Sequence, residues 1–149
     1  MKKFEFRLEP LLKVRSHVEK EKQKAHAAAQ MSVQNQKAHL SEVESGRQKT
    51  IAHQRQVQKK RLSLAELLVC SRYLVKLKKD TMAGNKLLGA LEKDAEEKRQ
   101  ELVEASRARK IFEKLKERQQ EKYYKEAGAM EAKESDEVAN TTFIRSKRT

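Results

Sequence analysis

The residue types that could carry chemistry are few and scattered. The four histidines are His17, His26, His39 and His53. No two of them lie three or four residues apart, so no pair shares a helix face at metal-ligand spacing. Cys70 is the only cysteine and has no His or Asp near it in sequence to activate it. Neither a phosphate-cradling glycine loop nor a Gly-x-Ser-x-Gly elbow occurs. Carboxylates are plentiful, but nearly all sit beside Lys or Arg at helical spacing, which reads as solvated ion pairing. No catalytic residue, metal site or cofactor is expected, and the chain is not expected to be an enzyme.

Charge and apolar patches leave binding as the alternative. Net charge is +13 over 149 residues. Residues 1–61 hold 15 Lys/Arg against 6 Asp/Glu, and residues 62–149 hold 20 against 16. Such an excess attracts acidic protein surfaces, anionic membrane or nucleic acid without choosing among them. The runs Lys59-Lys60-Arg61 and Arg107-Ala108-Arg109-Lys110 are short and interleaved with acids, and stacking aromatics are lacking, so nucleic acid is not the expected partner. The stretch 64–77 is more apolar than its surroundings. It either closes the end of a helix pair or presents a docking patch.

The elements that must position these residues are long helices. Charged residues make up 38% of the chain and aromatics 5%, with no Trp, one Pro and four Gly. Few turn residues and a wealth of Ala, Glu, Lys, Gln, Leu and Arg suit extended helices better than a globule. No stretch approaches the roughly 20 apolar residues of a membrane span. The opening residues lack the apolar segment of a signal peptide. A lone cysteine fits a reducing compartment, so a cytoplasmic location is expected.

Phe4, Phe6 and Leu8 alternate with charged residues and predict an extended entry. Pro10 suits the first helical position. Spacing of three and four then selects Leu8, Leu11, Arg15, Val18, Lys22, Ala25, Ala29, Ser32, Gln36, His39 and Val43 as one stripe. The best turn signal is residues 59–63, after which Ser63-Leu64-Ala65-Glu66 forms a capping box. A second helix opens with Leu64, Leu67, Leu68, Tyr73, Leu74 and Leu77 and resumes its stripe from Leu88 to Tyr123. The expected fold is all-α, a single elongated antiparallel two-helix coiled-coil hairpin over 1–149. Helix 1 covers about 9–58, helix 2 about 64–139, and residues 140–149 form a frayed basic tail. Leu11 is expected to face Ile111. Gly84-Asn85 is expected to kink or loosen helix 2, and a turn there is the alternative topology.

At its two ends the chain resembles the flagellar FliJ family. Phe4-Glu5-Phe6-Arg7-Leu8-Glu9-Pro10-Leu11-Leu12-Lys13-Val14-Arg15 is similar to that family's F-x-F-R-L-x-P-L-L-x-x-R start. Arg109-Lys110-Ile111-Phe112-Glu113-Lys114-Leu115-Lys116-Glu117-Arg118, followed by Tyr123, is similar to its R-K-x-x-E-K-L-x-E-R block. Glu131 and Asp136-Glu137 resemble its acidic ending.

The resemblance implies a non-catalytic component of the flagellar type III export apparatus. It would be a stalk in the pore of the hexameric export ATPase, FliI, promoting ring assembly and linking the ring to the export gate protein FlhA. A role in handling export chaperones is implied as well. Ring contacts would fall on Phe4, Phe6, Arg7, Arg15, Arg107, Arg109, Lys110, Glu113 and Arg118. Charge is expected to dominate them, because the seam uses up the apolar residues. Gate contacts would fall on Leu67, Tyr73, Leu74 and Leu77, with Tyr73 and Leu77 outermost. The protein would be cytoplasmic and peripheral to the inner membrane at the flagellar base, touching membrane only indirectly through the gate. The equivalent stalk of a virulence-type secretion system, a basic nucleic-acid-binding coiled coil and a structural spacer are the competing readings.

Overall fold

Pro10 sits in the first turn of helix α1 (Glu9–Lys60), where its missing N–H leaves no intrahelical bond unmade. Before it, residues 4–6 have no regular secondary structure, and the chain turns into the helix through Glu9 N–H to Phe6 O and Leu12 N–H to Leu8 O, each 3.0 Å. The second helix, α2, is Leu64–Ser146. The computed structural model describes residues 4–60 and 63–147. The two helices pack against each other as an antiparallel hairpin, and among the described residues there is no strand.

The helix boundaries differ in two places from the sequence reading. Helix α1 continues to Lys60, whose cation and that of Lys59 favour the negative end of the helix. Residues 61 and 62, in the expected turn, lie outside the described residues. Ser63 stands just before α2, and its carbonyl accepts from Leu67 N–H at 3.1 Å. At the other end, residues 140–146 are helical instead of frayed. The Thr141 and Thr142 hydroxyls fold back onto the Val138 carbonyl at 2.9 and 2.7 Å, a local bond that removes no donor from the backbone ladder.

The chain divides into two compact units, Met1–Glu19 with Glu104–Thr149, and Lys20–Val103. In the second unit the seam of α1 takes Lys22, Ala25, Ala29, Gln36 and Val43 as expected. Between them it takes His26, Val33 and Leu40, while Ser32 and His39 are exposed. The seam therefore uses the position four residues on, where the spacing of three had been expected. Burying Val33 and Leu40 removes more apolar area from water than burying Ser32 and His39 would. In the first unit the same choice places Leu12, Ser16 and buried Glu19 inward, leaving Leu11, Arg15 and Val18 exposed. Leu11 and Ile111, expected to meet, are both exposed.

Helix α2 passes through Gly84-Asn85 without a kink residue in a special conformation, since no glycine has positive φ. That excludes the alternative turn. Gly84 is instead a point of close approach in the second unit. Its carbonyl accepts from Gln36 Nε2 at 3.1 Å, and a Cβ there would lie 2.6 Å from Leu40 Cδ2. Lys22 Nζ to Glu101 Oε2 at 2.6 Å and Lys37 Nζ to Glu92 Oε1 at 3.0 Å clasp the helices elsewhere in this unit. Among the described residues no side chain is fully enclosed. A pair of helices has one mutual stripe and no second layer to cover it.

Candidate protein-binding surfaces

The two terminal sequence blocks meet each other in the first unit. Phe6 is 7% exposed, and the Phe4 ring lies 5.6 Å from that of Tyr123 at a tilt of 51°. Lys116 Nζ donates to Glu9 Oε2 at 2.7 Å. Arg109 donates through Nε to Glu19 and through Nη1 to Glu113, one helical turn onward. Hydrogen bonding to Glu19 raises the Arg109 pKa against the opposing pull of partial burial. Arg109 and Glu113 are thus engaged inside the hairpin, and Phe4 and Phe6 anchor the entry segment. These four were expected to serve a partner. Glu19, the acid that claims Arg109, was missed because the spacing of three put Val18 in its place.

What the first unit turns outward is a different set. Arg7, Arg15, Arg107, Lys110 and Arg118 are exposed, as is Lys114 between them. Arg107, Lys110, Lys114 and Arg118 recur every three or four residues, so they form one basic stripe on α2. Leu11, Val14 and Val18 on α1 are 46%, 57% and 38% exposed. Their spacing of three and four is that of an apolar helix stripe, here left uncovered among the described residues. The expectation that the seam uses up the apolar residues fails at this point. The N-terminal block keeps a second apolar face in reserve.

The second expected surface opens α2. Leu77 is only 6% exposed, so it belongs to the seam with Cys70 and the half-buried Leu67 and Leu74. The expectation that Leu77 lies outermost is corrected, because it falls seven residues from Cys70 on the face that meets α1. Tyr73 is 44% exposed. The apolar residues that do point outward include Leu64, Leu68, Val69, Val75 and Met82, at 75%, 53%, 67%, 55% and 66%. A groove lined by Arg47 and Ile51 of α1 and by Leu74, Val75 and Met82 of α2 adjoins them.

Among the described residues no group of His, Cys, Asp or Glu could hold a metal ion, and no helix is long and apolar enough to cross a membrane. Comparison with known proteins gives one family finding: the family described as Flagellar FliJ protein matches residues 4–148. No curated protein and no solved structure matches the chain.

Proposed function

The chain belongs to the flagellar FliJ protein family and is a component of the flagellar protein export apparatus, and from that premise we propose that its first unit is the stalk element seated in the hexameric export ATPase. The observation that supports this reading is the outward face of the joined terminal blocks. Arg7 just before α1, Leu11, Val14 and Val18 on α1, and Arg107, Lys110, Lys114 and Arg118 on α2, are exposed together in one unit. Exposed apolar residues on one helix and exposed cations on the other suit a pore wall of matching apolar and acidic character. Arg15 adds a further exposed cation on α1.

A two-helix element in a sixfold ring cannot contact six subunits alike. It favours one arrangement of the ring over the others, and that differential binding couples nucleotide state to the stalk. The chain itself is non-catalytic in this scheme. The opening turns of α2 face the export gate protein through Tyr73, and export chaperones are handled by the same assembly. The protein resides in the cytoplasm at the flagellar base.

Site-specific photo-crosslinking tests the placement. A photoreactive residue at position 107 or 14 should give adducts with the ATPase, and one at position 73 adducts with the gate protein. Ring adducts from position 73 and none from positions 14 and 107 would overturn the assignment.

A further inference from the structure

The outward face of early α2 has a chemistry that protein docking alone does not require. Leu64, Leu68, Val75 and Met82 are separated by four, seven and seven residues. At about 100° per residue they fall within roughly 40° of one line along the helix. All four are more than half exposed. Arg72, Lys76 and Lys79 follow immediately on one side of that line, and all three are exposed. The acids of the segment, Glu66 and Asp80, fall more than about 120° away by the same spacing.

Charge is concentrated here as well. Residues 47–86 contain eleven Lys/Arg and two Asp/Glu, a net +9 of the chain's +13. Among the described residues the ion pairs of this stretch reduce to Arg47 with Glu44, and the other described cations have no internal carboxylate to answer them. A narrow apolar stripe bordered by long cationic side chains, on a helix too polar to cross a bilayer, is the pattern of a helix lying in a membrane interface. The apolar residues enter the acyl boundary, while Arg72, Lys76 and Lys79 extend to lipid phosphates.

We propose that this face of α2, Leu64–Met82, binds directly to the surface of an anionic phospholipid bilayer. Charge complementarity chooses the occupant, and the stripe's narrowness agrees. A protein groove would need shape to match, whereas a bilayer needs only a line of apolar side chains between cations. The inference stands apart from the ring assignment, which rests on the other unit. It also replaces the expectation that membrane contact is only indirect.

The chain contains no Trp, so Val75→Trp in the full-length protein is a sole indole reporter. Mixed with vesicles of phosphatidylglycerol and phosphatidylcholine, its emission should shift to the blue and be quenched by brominated acyl chains. Vesicles of phosphatidylcholine alone should leave it unchanged. In co-sedimentation, Leu68→Ser with Val75→Ser keeps the charge and should weaken binding by about tenfold or more. Lys76→Gln with Lys79→Gln should weaken it about as much. Arg15→Gln with Arg107→Gln removes the same charge from the other unit and should change binding little. Circular dichroism should show all variants helical. If the serine variant binds like the parent, adsorption is electrostatic only and the proposal fails. Failure to bind anionic vesicles at all would also overturn it, leaving an acidic protein surface as the occupant.

Discussion

Arg109 of α2 is held by Glu19 of α1, and this pairing decides what the terminal blocks can offer a partner. Glu19 is the one charged residue that is buried among the described residues, 9% exposed. Its carboxylate lies where the seam would otherwise need an apolar residue. The pair therefore fixes the facing of the two helices locally more than it adds net stability, since desolvation offsets much of the attraction. Lys110, the next residue, points outward. Two adjacent cations that read alike in sequence have opposite duties.

Reversing the charge at position 109 should damage the hairpin itself. Arg109→Glu sets three carboxylates against one another, with Glu19 and Glu113, and should lower the midpoint of thermal unfolding. Adding Glu19→Arg should restore part of the loss. Recovery stays partial because the carboxylate introduced at position 109 still neighbours Glu113. A Lys110→Glu variant should melt like the parent. Melting curves that rank Lys110→Glu below Arg109→Glu would contradict the pairing.

Gly84 should behave unlike the other helical glycines. Gly46 and Gly89 have nothing within 4 Å of a built Cβ, so alanine at either should stabilise by about 0.5–1 kcal/mol through better helix propensity. At Gly84 the same gain is opposed by Leu40, which must move. Gly84→Ala should be neutral or destabilising, and Gly84→Val clearly destabilising. Combined with Leu40→Ala, the Gly84→Ala cost should largely vanish, a coupling visible in a double-mutant cycle of denaturant midpoints.

Acid should loosen the helix pair gradually. Hydrogen bonding to Lys22 holds the Glu101 carboxyl below its ordinary value of 4.5, and Arg99 and Arg47 do the same for Glu96 and Glu44. A carboxylate whose folded pKa is depressed contributes stability above its unfolded pKa and loses it as pH falls through the folded value. The thermal midpoint should therefore be flat from pH 7 to about 5 and decline below about 4.5. All three acids are exposed or half-exposed, so the decline should be shallow and weakened by salt. A midpoint that rises on acidification would contradict these pairings.

Much of the architecture was legible because it rests on one-dimensional signals. Pro10 announces the start of α1, Ser63 the start of α2, and the scarcity of other breakers leaves nothing but helices between. The facing of the helices was less legible. Positions three and four residues after a seam residue are both candidates, and only the partner helix chooses between Leu11 and Leu12, or Val18 and Glu19. That choice turned Leu77 inward and Leu11 and Val18 outward. Ion-pair geometry was likewise hidden, since Arg109 and Lys110 differ only by their turn on the helix. The tail was read as frayed because it is terminal and basic, and the helix through Ser146, with the Thr141 and Thr142 hydroxyls folded onto Val138 O, was not legible there.

The most direct test of the central claim is hydrolysis by the cognate export ATPase with and without this protein, read alongside the size of the complex on gel filtration. The parent chain should stimulate hydrolysis and co-migrate with the hexamer. A variant carrying Arg107→Glu, Lys110→Glu and Val14→Ser should remain helical yet lose both effects. Stimulation by that variant equal to the parent's, or a parent chain that neither stimulates nor co-migrates, would contradict the account.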